Sequence, residues 1–252
     1  WTNSLGHGDE RYGQTQYTRI RCAAGDASTG SMCPLDEDFA DEFGAWLHDI
    51  ASVGAKLIML DDDFRLSYRG TGLGCFCDLH LAAFAKVTGK MLSREELVQR
   101  VYTGGSSPDR DAWLQVCGDS LRHLAARLRA AVDTVSPDIR LGHCAVLSTW
   151  DVDGVDSIEL ARIFAGKTSP FLRLIGAPYW AAQRAWGFRL ASVIEVERMQ
   201  RKWCEGQGIE IFAEGDVYPR PRFNVPAAYL EGFDTALRAD GGLDGILKYM
   251  ID

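Results

Sequence analysis

Two groups of side chains in this sequence have the types and spacing for chemistry. The first is a pair of carboxylate clusters. Leu57-Ile58-Met59-Leu60 runs straight into Asp61-Asp62-Asp63-Phe64-Arg65, and a second largely apolar run, Ile209 to Ala213, ends at Glu214. A short apolar run suits a strand buried on both faces. Each acid then falls where a parallel strand meets its loop, the edge along which α/β barrels keep their chemistry. Asp63 and Glu214 are the candidate pair. Hydrolysis of a glycosidic bond needs two carboxyl groups facing each other across a sugar, one protonated and one ionised. An apolar neighbour raises one pKa and a nearby arginine lowers the other. Arg65, Arg220 and Arg222 are available for the second task. The same runs also read as strands followed by solvated turns, with Glu214 salt-bridged to Arg220 or Arg222.

The second group is sulfur and imidazole. Cys75, Cys77 and His80 supply three soft or borderline ligands within six residues, and Cys33 would complete a tetrahedral zinc site. Cys22 competes for that fourth place. Four protein ligands make a closed, structural site, here pinning the Gly-rich loop after the acid-bearing strand. A catalytic metal would instead need an open position holding water. Without a metal, these are free thiols in a loop, with His80 at a helix N-terminus. Neighbouring strand-like positions such as Cys75 and Cys77 rarely meet disulfide geometry, and seven scattered cysteines argue against a disulfide framework. Cys117 and Cys204 occupy apolar helix positions and read as core. Cys144 would be a nucleophile only beside a base, and His143 points to the other face of its strand. Tyr179, Trp180 and Tyr218 follow strands, as do Trp150 and Trp186. These rings suit either a sugar platform or loop packing. His7 is a further candidate at the rim.

The elements that must hold these residues alternate. Residues 1–33 are Gly-, polar- and charge-rich with little apolar periodicity, and Trp1 to Gly8 reads as a long loop. Pro34 and Asp36 announce a helix carrying Phe39, Phe43, Trp46, Leu47 and Ile50 on one stripe. The strand 57–60 follows. Leu81 to Val87 reads as a short helix, Ser93 to Glu96 as a capping box, and Trp113 to Val132 as a long amphipathic helix. Strands are expected at 139–146, 171–179, 209–213 and 246–251. Between them lie helices at 157–164, 189–203 and, opened by Pro226, across Tyr229 to Leu237. Leu190, Val193, Ile194, Val196 and Met199 are the expected apolar positions of the 189–203 helix. Strand and helix in alternation predict a parallel sheet with helical crossovers. A closed (β/α)8 barrel needs eight strands. Five fit the later part of a TIM-type barrel, read as one domain over 1–252 and as an excerpt of a longer chain, since Trp1 is not a natural start. A doubly wound open sheet is the alternative, but no Gly-rich phosphate loop follows any strand.

The order of motifs also resembles a known family. Ser31-Met32-Cys33-Pro34-Leu35, a helix, a strand ending in Asp61-Asp62-Asp63-Phe64, then Cys75-Phe76-Cys77 and Phe84, is similar to the family 42 β-galactosidases. Those carry a Cys-Pro segment, a strand ending in Asp-Asn-Glu-Tyr, and a Cys-Tyr-Cys-x-x-Cys run before Ala-Ala-Phe. The resemblance implies a (β/α)-barrel glycosidase acting on carbohydrate by a retaining mechanism. It puts Asp63 in the place of the acid/base Glu and Asp62 in that of the preceding Asn. It puts Cys33, Cys75, Cys77 and His80 in the places of four zinc-binding cysteines. Ile211 to Glu214 then resembles the nucleophile strand, and Ala239-Asp240-Gly241 to Tyr249 the last barrel strand. Asp62, Arg65, His7, Tyr179, Trp180 and Tyr218 are the expected substrate-binding residues. Two departures stand out. Asp63 is one methylene shorter than Glu, leaving Asp61 or Asp62 as the alternative acid, and His80 replaces a thiolate. The chain is nearer still to glycosidase-like barrel proteins with the Asp-Asp-Asp-Phe-Arg and Gly-Cys-Phe-Cys runs. A catalytically silent carbohydrate-binding barrel is the rival reading, and a metal-dependent hydrolase the second.

The bulk numbers fit. A chain of 252 residues, 46% hydrophobic and 25% charged, can build one large core. Its net charge of -8 argues against nucleic acid as a partner. No apolar run reaches membrane-span length, so a soluble protein is expected; no motif fixes its compartment, of which the cytoplasm is favoured. No motif fixes the sugar, the linkage or homo-oligomerisation, and none calls for an organic cofactor.

Overall fold

The computed structural model describes residues 16–61, 64–67, 73–147, 150–179, 189–215 and 225–247. Two units divide the chain, residues 1–168 and 169–252. In the first, Arg19–Arg21 (β1) and Ala27–Met32 (β2) pair antiparallel. Their turn closes with Cys22 N–H donating to Asp26 O and Gly25 at φ 97°. The sequence predicts no strand in this stretch. Its strands are short and polar, and few of their residues face the core, Ile20 and Met32 among them, so no alternation was visible.

Helix α1 (Glu37–Ser52) starts where expected, because the Asp36 carboxylate accepts from Phe39 N–H. Phe39, Phe43 and Leu47 lie on its buried face. Strand β3 (Leu57–Leu60) follows. Helices α2 (Asp78–Thr88), α3 (Arg94–Tyr102) and α4 (Pro108–Asp133) lead to strand β4 (Arg140–Cys144) and helix α5 (Ser157–Ala165). The Ser93 and Glu96 capping box opens α3, and Ser107 with Pro108 opens α4. β3 and β4 pair in parallel, Ile58 beside Leu141 and Leu60 beside His143. Ile58, Leu60 and Leu141 join one core with Leu47, Leu124, Leu128 and Phe164 from the helices. His143 shares that face, its ring 5.4 Å from Phe164. Cys144, one residue on, therefore points away from it, as the sequence reading held.

The second unit is β5 (Phe171–Arg173), α6 (Leu190–Cys204), β6 (Glu210–Glu214), α7 (Ala227–Asp240) and β7 (Gly245–Leu247). All three strands are parallel, with Arg173 beside Phe212 and Glu214 beside Leu247. Ala213 packs with Val193, Ile194, Phe233 and Leu237 of the two helices. By alternation, Phe212 and Glu214 lie on the strand face turned away from the helices, and Arg173 lies with them. Gly245 sits beside Phe212 because a Cβ there would meet the ring at 3.0 Å.

β5 is shorter than the 171–179 expected. Leu174 N–H still donates to Phe212 O, but the Gln200 side chain takes both backbone groups of Ile175. A side chain on α6 thus replaces the ladder, and Gly176 at φ 143° turns the chain. The buried stripe of α6 also differs from the expected one. Glu197 and Gln200 are buried with Val193 and Ile194, while Met199 is exposed.

Candidate active site and metal centre

Glu214 ends β6 and is 3% exposed. A carboxylate that deep needs a countercharge. Arg173 supplies it: its Nη1 lies 2.5 Å from Glu214 Oε2, and Arg173 is itself 1% exposed. Gly176 N–H also donates to Oε2, at 3.4 Å. Behind the strand, Glu214 N–H donates to Glu197 Oε1 at 3.2 Å. Burial drives the Glu197 carboxyl well above the usual range. The Glu214 N–H and the Arg173 charge pull it down without offsetting that, and the Glu214 carboxylate pushes it further up. Arg173 therefore faces the Glu214 carboxylate, while Glu197, on the helix behind, accepts from the Glu214 backbone N–H.

The arginine was expected from Arg65, Arg220 or Arg222, of which the last two lie outside the described residues. Arg173 was missed, although the signal was present. A single arginine inside Phe171-Leu172-Arg173-Leu174-Ile175 has no reason to sit in an apolar strand unless it meets a buried acid.

At the end of β3, Asp61 is buried. Asp62 and Asp63 lie outside the described residues, as do His7, Trp180 and Tyr218. Tyr179 is half-buried beyond β5, and Arg65 is half-buried beyond the acid triplet. The loop carrying Arg65 is tied by Leu66 N–H, which donates to Asp153 Oδ2 at 3.1 Å. Asp153, 2% exposed, was not foreseen as a site residue. Burial pushes its carboxyl up to about 6, against the pull of the Leu66 N–H and the Arg65 charge.

Cys33, Cys75, Cys77 and His80 are all buried, and their ligand atoms lie within 4.8 Å of one another. Cys33 follows β2, and its N–H donates to Thr18 O. Cys77 precedes α2, and His80 sits in the first turn of α2. That helix begins one turn earlier than expected, which is what brings the imidazole inward. The loop between is fixed by Phe76, whose N–H donates to Arg21 O and whose ring stacks on Trp113 at 4.8 Å. Gly74, at φ 76°, gives Trp113 room, since a Cβ would lie 2.2 Å from the indole.

Cys33 Sγ lies 3.3 Å from His80 Nδ1, Cys77 Sγ lies 3.5 Å from the same nitrogen, and the two sulfurs are 3.5 Å apart. A tetrahedral ion bound to sulfur at about 2.3 Å and to nitrogen at about 2.0 Å has edges of roughly 3.5–3.8 Å. The three separations among Cys33, Cys77 and His80 come within about 0.3 Å of those edges, and 3.5 Å is far beyond a disulfide. All seven cysteines are free. Cys22, the alternative fourth ligand, is buried outside the cluster. Without an ion, burial would raise the Cys75 thiol, yet hydrogen bonds from Cys33 and Cys77 and the His80 cation bring it well below the thiol range. Burial likewise opposes the charged imidazole, but the Cys75 and Cys77 sulfurs carry His80 up to about 10. The donors therefore fit a soft divalent cation in a closed site.

A groove of about 650 Å³ opens at the opposite ends of β5, β6 and β7, lined by Pro170, Arg201, Ile209 and Asp244. It holds none of the candidate acids. Among the described residues, no helix is long and apolar enough to cross a membrane.

No protein-family model and no curated protein sequence matches the chain. Solved structures do. The β-galactosidase of the psychrophilic Marinomonas ef1 matches over 95% of this chain and 41% of its own, with a TM-score of 0.64 at 14% identity. The β-amylase catalytic domain of Paenibacillus polymyxa matches over 94% of this chain and 69% of its own, with a TM-score of 0.51 at 11% identity. The chain thus spans about two fifths of that β-galactosidase. At these identities the likeness carries the fold, a mixed α/β chain with parallel strands shared with two glycoside hydrolases.

Proposed function

We propose that this chain is part of a (β/α)8-barrel glycoside hydrolase, covering the later strands, that cleaves O-glycosidic bonds by a retaining two-carboxylate mechanism. The observation that carries it is the buried Arg173–Glu214 pair at the end of β6, on the strand face turned away from the helices. An arginine in contact favours the ionised carboxylate that a nucleophile must be. Glu214 attacks the anomeric carbon, and Asp63 protonates the leaving oxygen, then serves as base toward water. The family 42 resemblance supplies that assignment, and the two glycosidase neighbours support the scaffold. Asp62, Arg65, His7, Tyr179, Trp180 and Tyr218 contact the sugar.

The Cys33, Cys75, Cys77 and His80 cluster holds zinc. It joins the end of β2, the 73–77 loop and α2. With four protein ligands it leaves no position for substrate, so the metal is a brace rather than a Lewis acid.

One observation favours a second reading, a silent carbohydrate-binding barrel. Glu214 Oε2 is already engaged by Arg173 and Gly176, and little of the side chain is exposed. A screen of chromogenic glycosides separates the two. The enzyme reading expects turnover that Glu214→Ala abolishes and that azide partly restores as a glycosyl azide. Sugar binding without turnover, unchanged in Glu214→Ala, would favour the silent barrel.

A further inference from the structure

We infer that Ser120 is the positioning residue of the metal centre: its hydroxyl fixes His80 as an Nδ1 ligand. The inference rests on the reading of the cluster as a zinc site. Ser120 lies on α4, 1% exposed, and its Oγ donates to Cys117 O at 2.7 Å. A serine hydroxyl has one proton. With that proton committed to the carbonyl, Oγ toward His80 accepts. His80 Nε2 lies 3.2 Å away, so it is the nitrogen that carries hydrogen. In a neutral imidazole the other nitrogen then keeps its lone pair. That nitrogen, Nδ1, is the one facing Cys33 and Cys77.

The arrangement explains why a histidine works here. A cysteine ligand is a symmetric sulfur that needs no orienting partner. An imidazole must be held in one tautomer and one plane, and metal-bound histidines obtain this from an acceptor on the second nitrogen. Ser120 is that acceptor. The link also runs from α2 to α4, so the long helix registers against the metal loop through His80.

The test uses the wild-type chain, Ser120→Ala, His80→Cys and the double variant, each loaded with zinc, cobalt or cadmium. Chelator competition on Ser120→Ala should show affinity weakened about 10–100-fold, the usual effect of losing such an outer partner. In the His80→Cys background, where no imidazole needs orienting, the same substitution should change affinity less than about threefold, since the partner it removes no longer exists. Independently of any variant, NMR of the cadmium-loaded wild-type chain should show coupling of the metal to His80 Nδ1 and a proton on Nε2. Equal affinity for wild type and Ser120→Ala, an equal loss in both backgrounds, or ligation through Nε2 would each overturn the role of Ser120 while leaving the zinc site standing. A wild-type chain that takes up no metal would overturn both.

Discussion

Replacing Arg173 with methionine removes a buried guanidinium that pairs with Glu214, and its consequence can be worked from the structure. Both residues are almost fully buried, 1% and 3% exposed, and the charged atoms are 2.5 Å apart. Breaking a buried pair from one side strands the other charge, at about 3–5 kcal/mol. Arg173→Met should therefore lose that much in urea unfolding, and Glu214→Gln alone should also lose stability, by leaving the guanidinium unmatched. Arg173→Met/Glu214→Gln removes both charges of the pair together. Neutral replacement of a whole buried pair is often close to cost-free. The double variant should recover at least about 2 kcal/mol relative to the sum of the singles, well above the scatter for independent sites. Strict additivity would refute the claim that these two side chains compensate each other.

Two further outcomes follow from other buried groups. Asp153 has a folded-state pKa of about 6 against an ordinary 3.8. The folded protein binds the proton more tightly, so stability is lost as pH rises from 3.8 through about 6, up to about 3 kcal/mol at 1.36 kcal/mol per unit. Asp153→Asn keeps an acceptor for Leu66 N–H and removes the titration. In paired urea melts it should match wild type near pH 4 and exceed it at pH 7.5; an equal difference at both pH values would sink the argument. Stripping the metal with a chelator should lower the melting temperature and loosen the 73–77 loop, read as faster hydrogen exchange at Phe76 N–H, because metal binding free energy is folding free energy. Unchanged exchange and melting would remove the brace.

Much of this was legible in the residues, and the gaps have physical causes. The helix starts at Asp36 and Ser93 could be read because a cap is a local device, whereas α4 begins at Pro108, ahead of the Trp113 expected. The metal cluster could be read because soft ligands at tight spacing have few other uses, and the structure selects Cys33 over Cys22 by tertiary closeness alone. Arg173 carried a signal, a lone charge in an apolar strand, but neither its partner nor those of Glu197 and Gln200 at the β5 and β6 ends could be read. Their contacts join residues 17–41 positions apart, and a helical stripe carrying Glu197 and Gln200 looks like a solvent face until the strand ends need hydrogen bonds. Asp153 was invisible for the same reason, since its partner Leu66 is 87 residues away. The β1–β2 hairpin failed differently: too few of its residues face the core to leave a periodic mark.

The most direct test of Glu214 as nucleophile is covalent trapping. A panel of 2-deoxy-2-fluoro glycosides with a good leaving group is incubated with the protein, and the digested chain is read by mass spectrometry. The leaving group departs as the anomeric carbon bonds a carboxylate oxygen. The account predicts one sugar adduct on the peptide carrying Glu214, absent in Glu214→Ala. Turnover of a chromogenic glycoside with the adduct on another residue, or undiminished in Glu214→Ala, would contradict it.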